Sequence, residues 1–463
     1  MTPHEPDLPA AGGTHGSSSA VPVAAVLTAM AMVVLDAGMT NVALPTIATD
    51  LGISPAEAVL VVTAYQTALL AALLPCAALG ERLGYRRVFV AGAALFAGAA
   101  LLAALAPSAP WLLAARAVQG LGGAAIMALG VPLLRFVVPA ERLGAAIGWN
   151  ALTVALASSA GPALGAAVLS QVDWPWLYAV QMPLAMAVLW SARQLPRTAA
   201  SAQRLDIASL ALCAGFFAAF AIAAQLMLVR PWLAGSLAIA GVVFLGLVVR
   251  RESPKAAPLI PLDLLRAPAF RISVIASVLC FAGQTASLVA LPFYLQGPLG
   301  QTPAATGFFM TVWPVSVALT AVMVGRLADR FSTAWLCAAG GTCLAAGLLG
   351  TALWSFGGDL RPFVFFTSLC GVGFGLFQTP NNRNLFLSAP LERSAASGGA
   401  QGAARLTGQT AGAVLIALLF SLGPTALASR LAIGIGAGLA LLAALVSLAR
   451  AGTHHTVQGA TPA

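Results

Sequence analysis

Between residues 21 and 449 the chain is a succession of fourteen apolar runs, separated by short polar loops. They cover 21–44, 57–79, 88–107, 110–134, 143–169, 174–192, 206–228, 232–249, 271–295, 304–325, 333–354, 362–384, 396–420 and 431–449. An α-helix needs about 20 consecutive apolar residues to cross the hydrocarbon core of a bilayer, and each run is close to or above that length. The backbone of a spanning segment must satisfy its own hydrogen bonds, which leaves helices and closed barrels. Barrel strands read as alternating pieces of about ten residues, whereas these runs are continuous. Charged residues are 8% of the sequence, against about 25% in a soluble domain. The expected fold class is therefore an all-α membrane protein with fourteen transmembrane helices.

Loop charge orients the chain. The basic residues are twenty-two arginines and Lys255. Apart from Arg116 and Arg405, which lie well inside runs, eighteen fall on the side that carries both termini, among them Arg82, Arg86, Arg87, Arg135, Arg142 and Arg393. Arg230, Arg361 and Arg430 fall on the other. Basic residues are retained on the cytoplasmic face, so both termini are expected to be cytoplasmic in a cell (inner or plasma) membrane. The net charge of +9 then belongs to membrane loops and calls for no nucleic-acid partner. Residues 1–20 read as a disordered cytoplasmic tail without the basic start of a signal peptide, and 451–463 as a second tail. The six cysteines lie within apolar runs without metal-ligand spacing, and the four histidines lie in the tails.

A repeat runs through the loops. "ALGERLGYRR" follows the second run and "GRLADRFS" the tenth; "PAER" precedes the fifth run and "PLER" the thirteenth. Basic turns alone would account for each motif, but the matched spacing indicates two six-helix halves, 21–193 and 271–450. Two further helices are inserted between them within 194–270. Internal repeats are the architecture of secondary transporters, with substrate bound near the midplane.

Asp36, in "LDAGMTNVALP", is the one acid well inside any run. A carboxylate at the bilayer centre costs about 2.5–3.5 kcal/mol on insertion scales, and burial disfavours its charged form. Thr40 lies one turn on, where its hydroxyl could bond the acid. Arg116, Gln119, Gly120 and Gly123 share one face of the fourth helix, where small residues permit close helix approach. Asp36 could be a proton carrier or a structural acid pinned to Arg116 or Arg405; Arg116 could equally reach toward an interface. In the fifth helix Gly161, Pro162 and Gly165 would bend the chain and form a seam that can rock, with or without a coupling role. Ser397, Gln401 and Arg405 share a face of the thirteenth helix. In the twelfth, Gln378, Asn381 and Asn382 surround Pro380 and could satisfy the backbone groups it frees.

Together these motifs resemble the major facilitator superfamily, specifically its 14-helix drug:proton antiporters. Residues 77–86 are similar to the superfamily's loop signature, with Ala77 for its first glycine and Glu81 for its aspartate. Asp36, Asn41, Ala43, Leu44 and Pro45 match the signature of the 14-helix group, with Gly38 where threonine is usual. After the fifth run, Gln181-Met182-Pro183 stands where the family usually has N-x-P. The resemblance implies the major facilitator fold and proton coupling through Asp36 and Arg116. It also implies gating by Glu81, Arg82, Gly84, Arg86, Gly161, Pro162, Gly165, Asp329 and Arg330. Tyr65, Gln66, Asn150, Gln284, Trp313, Gln378 and Asn381, polar or aromatic within the central helices, are the candidate substrate contacts.

No phosphate-binding loop, no nucleophile with a partner histidine and no metal cluster is present in the sequence, so no enzyme, cofactor or metal is expected. The expected function is export of small lipophilic or cationic compounds in exchange for protons, by a monomer whose partners are the substrate, protons and the bilayer. The charges inside the runs also permit anionic cargo. A dedicated metabolite exporter and a non-transporting sensor or scaffold of the same fold remain open.

Overall fold

The computed structural model describes residues 20–197, 206–227, 230–253, 262–327, 330–389 and 393–458. Among them the regular structure is helical: α1 Ala20–Asp50, α2 Pro55–Leu83, α3 Tyr85–Ala104, α4 Ala109–Val137, α5 Ala140–Leu169, α6 Trp176–Ala179, α7 Met182–Ser191, α8 Ile207–Leu226 and α9 Pro231–Glu252, followed by α10 Leu262–Leu265, α11 Pro268–Gln296, α12 Pro303–Leu327, α13 Thr333–Leu353, α14 Arg361–Leu387, α15 Ser394–Leu422 and α16 Thr425–Gln458. Thirteen are long and apolar enough to cross a membrane. Several overrun the expected limits, because helical hydrogen bonding continues past the apolar window; α1 runs through Pro45 to Asp50.

The sixth expected span is not one helix but two, α6 and α7, with the break at Val180 and Gln181. Pro183 has no N–H to donate one turn back, and a proline inside a helix interrupts its ladder. At the break the Gln181 N–H turns to the Tyr178 carbonyl at 3.3 Å, three residues back instead of four. The Gln181 side chain takes up the Leu177 carbonyl at 3.1 Å.

Local chemistry starts and stops the other helices. Pro55 opens α2 behind a capping box in which Ser54 Oγ accepts from the Glu57 N–H and Glu57 accepts from the Ser54 N–H. Gly84 ends α2 with φ +93°, a conformation that a side chain would strain.

The packing repeats. α1 lies on α5 and α7, α2 on α4, and α3 on α4 and α7; in the same relation α11 lies on α15 and α16, α12 on α14, and α13 on α14 and α16. The two sets meet through α5 with α12, α2 with α15 and α1 with α11, while α8 and α9 pack on each other and α8 touches α2 and α15. Away from the termini one apolar cluster joins both sets, with Val42, Leu44 and Ile47 beside Tyr294, Leu295 and Trp313. Toward the termini the first set has its own cluster around Met30, Leu69, Phe89, Phe96 and Leu133, to which α15 adds Leu406.

Candidate functional site

Asp36 sits in the middle of α1 with 0% of its surface exposed. Three side chains from two other helical segments converge on it. Arg116 Nη1 donates to Asp36 Oδ2 at 2.7 Å. Gln119 Nε2 and Gln181 Nε2 donate to Asp36 Oδ1 at 3.1 and 3.0 Å. Arg116 Nη1 also donates to Gln119 Oε1 at 2.6 Å, and its Nε to the Val61 carbonyl of α2 at 3.3 Å. The guanidinium lies 4.3 Å from the Tyr65 ring centre and 5.4 Å from that of Tyr178. Cation–π contact of this kind strengthens when water is excluded.

The sequence dictates how this assembles. Arg116 and Gln119, three residues apart, rise from one face of α4. Gly120 and Gly123 on that face let α2 approach: a Cβ on Gly123 would lie 2.9 Å from the Tyr65 hydroxyl, and one on Gly120 would overlap the Tyr65 backbone. Gln181 reaches Asp36 from the break between α6 and α7. A buried ion pair of this kind contributes little net stability, but losing one partner strands a charge.

Asp36 takes Arg116 as its partner and not Arg405, and Thr40, one turn on, does not bond it. Arg405 lies on α15 with its Nε buried and without a hydrogen-bond partner. Ser397, on the same face, is tied by its hydroxyl to the Leu385 carbonyl of α14 at 2.9 Å.

The glycines of α5 meet α1 at backbone distance. A Cβ on Gly161 would lie 3.0 Å from the Gly38 Cα, and one on Gly165 2.9 Å from the Met39 Cα. Gly38, where the related signature has threonine, occupies a spot where a side chain would also press on Pro162. On its other side α5 meets α12, where Gly307 abuts Ala166 and the Pro162 carbonyl.

The candidate substrate contacts fall into two kinds. Tyr65, Gln66, Asn150, Trp313 and Asn381 each hold a buried polar atom without a hydrogen-bond partner: the Tyr65 hydroxyl, Gln66 Oε1, Asn150 Oδ1, Trp313 Nε1 and Asn381 Oδ1. Gln284 and Gln378 are partly buried. Asn381 is fully buried, and its Nδ2 donates to Ser277 Oγ at 2.7 Å and to the Ser273 carbonyl at 3.1 Å. Asn384 and Arg450 both donate to Ser273 Oγ at 2.8 Å. Asn381 and Asn384 thus reach across to α11. Glu81 and Arg82 are exposed at the end of α2, Arg86 is partly buried at the start of α3, and Arg330 is exposed. Asp329 lies outside the described residues.

Sequence reasoning missed Gln181 and Gln119 as ligands of Asp36. Gln119 was marked by its place three residues from Arg116. Gln181 was marked by its departure from the family's pattern beside a helix-breaking proline.

A bundle of membrane-crossing helices in two matched sets, with an ion pair sealed at its centre, defines a polytopic membrane carrier. The Major Facilitator Superfamily model matches residues 26–262 and 273–462, and the chain belongs to that superfamily of transporters. It is 39% identical over 406 residues, covering 86% of this chain and 88% of the relative, to a protein of Escherichia coli K12 named uncharacterized transporter YebQ. It is 28% identical to the riboflavin transporter RibZ of Clostridioides difficile 630, covering 79% of this chain and 80% of that protein. The multidrug efflux pump LfrA of Mycolicibacterium smegmatis is 27% identical, covering 87% and 81%. In fold the chain is similar to a crystallised POT family transporter, with TM-score 0.73 at 14% identity over 93% of this chain and 96% of that one. It is similar also to a D-xylose-proton symporter, with TM-score 0.67 at 14% identity over 93% and 97%. It is a multi-pass membrane transporter and not an enzyme.

Proposed function

We propose that the protein exports small lipophilic compounds in exchange for protons, by alternating access between halves 21–193 and 271–450. In this reading it works as a monomer in the inner or plasma membrane, with both termini cytoplasmic. The observation that carries the reading is the enclosure of Asp36 by Arg116, Gln119 and Gln181. As a carboxylate, Asp36 binds α1 to α4 and to the break between α6 and α7. Once protonated it no longer attracts Arg116, and that link loosens. The movement has a route outward. α1 abuts α5 at Gly38 and Gly161, and α5 abuts α12 at Gly307, so displacement of α1 is felt where the two helix sets meet. The resistance and efflux names of relatives such as LfrA support export; the name of RibZ supports the alternative of a dedicated metabolite carrier.

The test begins with cells that carry or lack the protein, challenged with cationic, neutral and anionic compounds. A compound exported by those cells is then followed in proteoliposomes under an imposed pH gradient, with the native chain and with Asp36→Asn. The gradient is expected to drive export only with the native chain. Equal gradient-driven export by a folded Asp36→Asn protein would remove Asp36 from the coupling.

A further inference from the structure

We propose that Arg405 is the docking group for an anionic substituent on the transported compound, so that the cargo is an amphiphile with a carboxylate or similar single negative charge beside a lipophilic body. The proposal rests on the transport reading above and narrows it: sequence alone permitted cationic, neutral and anionic cargo.

The negative charge at the centre is already spent. Both oxygens of Asp36 are engaged, Oδ2 by Arg116 and Oδ1 by Gln119 and Gln181, and the residue is sealed from solvent. A cation would have to displace an arginine already in contact. Arg405 is in the opposite condition. Among the described residues it has no carboxylate partner, and its Nε is buried without a hydrogen bond. Among the described residues, Asp36 and Arg116 offset each other, and Arg405 is left without an opposite charge.

Its position excludes an ordinary explanation for such a charge. At 1.5 Å per residue, Arg405 lies about 16 Å from one end of α15 and about 25 Å from the other. That is farther along the axis than an arginine side chain extends, so the guanidinium does not come level with either end of α15.

Its surroundings lie at the seam between the two helix sets. The next residue, Leu406, belongs to the apolar cluster of Tyr65, Leu69 and Leu73 on α2. Cβ atoms on Gly402 and Gly399 would lie 3.3 Å from Leu73 and 3.6 Å from Leu74. Tyr65 stacks on Arg116, and its hydroxyl is buried without a hydrogen-bond partner. Arg405 itself is only partly buried. A guanidinium offers a carboxylate two parallel N–H donors, stronger than neutral hydrogen bonds. Tyr65, in the same apolar cluster as Leu406, adds a hydroxyl and an aromatic wall to this seam.

The test is equilibrium binding to the purified full-length protein in lipid nanodiscs, with no gradient applied. Three fluorescent probes share one body and differ in charge: 1-pyrenebutanoate, its methyl ester and 1-pyrenebutylamine. The native protein is expected to bind the carboxylate at least about tenfold more tightly than either other probe, as a charge-assisted bidentate pair provides. Arg405→Gln is expected to abolish that preference, and Arg405→Lys, which keeps charge but loses the fork, to retain part of it. A smaller preference in the native protein, tightest binding of the amine, no saturable binding of the carboxylate, or a preference undiminished in Arg405→Gln each overturns the proposal. The ranking by the native chain decides even where a variant fails to fold. Because no gradient is involved, failure of the proton-coupling test with Asp36→Asn leaves this result untouched, and the reverse holds too.

Discussion

Gly38 of α1 and Gly161 of α5 face each other so closely that a Cβ on either would stand 3.0 Å from the Cα of the other. The contact lies two residues from Asp36, and it joins the buried acid to the helix that meets the second set at Gly307. Threonine at position 38, usual in the resembled signature, would force α1 and α5 apart.

Gly38→Thr is therefore expected to destabilise the protein by about 1–3 kcal/mol, the range for overpacking a close-packed interior. The measurement is the thermal unfolding midpoint in detergent. Gly98→Ala is the matched control. Nothing lies within 4 Å of its added Cβ, and alanine in a helix interior gains up to about 1 kcal/mol over glycine. A midpoint for Gly38→Thr equal to that of the control would show that the seam is not tight.

Removing one partner of the buried pair should cost more than removing both. Arg116→Ala leaves Asp36 enclosed without its counter-charge, with an expected loss of about 3–5 kcal/mol. Combining Arg116→Ala with Asp36→Asn should recover part of that loss, and a double-mutant cycle on unfolding reads the coupling. Gln181→Leu strips one donor from Asp36 and leaves the Leu177 carbonyl bare, at an expected cost of about 1–3 kcal/mol for buried groups left unsatisfied. Hydrogen exchange at 177–183 should rise in that variant. Strict additivity in the cycle would mean that Asp36 and Arg116 do not act as a pair.

Outside the spans, Asp263 of α10 and Arg393 form a two-pronged pair at 3.0 and 2.8 Å. Burial pushes the Asp263 carboxyl up, but the hydrogen bond and charge of Arg393 with nearby backbone donors outweigh it, so its pKa lies below the ordinary value. A depressed carboxylate pKa contributes stability above the unfolded-state value, and that contribution is lost as pH falls through the folded-state value. The pair is partly exposed, with 43% of the Asp263 side chain accessible, so its worth is below about 1 kcal/mol. Asp263→Asn should lower the unfolding midpoint slightly at neutral pH, and the gap from the native chain should close as pH falls below the ordinary aspartate value. A gap that persists there would assign the effect to something other than the carboxylate's charge.

The number and placement of the spans, the repeat and the unusual acid at position 36 are legible in the sequence because each rests on local chemistry. Apolar length decides whether a segment can enter lipid, and a charge in such a segment stands out whatever surrounds it. The turn at Gly84 is legible for the same reason. Even the break in the sixth span had a local mark in Pro183, although the run reads as continuous by hydropathy.

The partners of Asp36 are another matter. Sequence left Arg116, Arg405 and Thr40 all in reach; in the folded chain Arg116 takes the acid, Thr40 does not touch it, and Gln181 arrives from 145 residues away. Helical periodicity assigns a residue to a face, but which face meets which helix, and at what height, is fixed by packing between distant segments. The close approach of Gly38 to Gly161 and the isolation of Arg405 are decided there too. What the sequence determined by itself was the solvent this chain folds in and the few charges it must shelter; the tertiary structure alone decided which of those charges are neutralised and which is left without a partner, because that depends on distances between helices that no local pattern encodes.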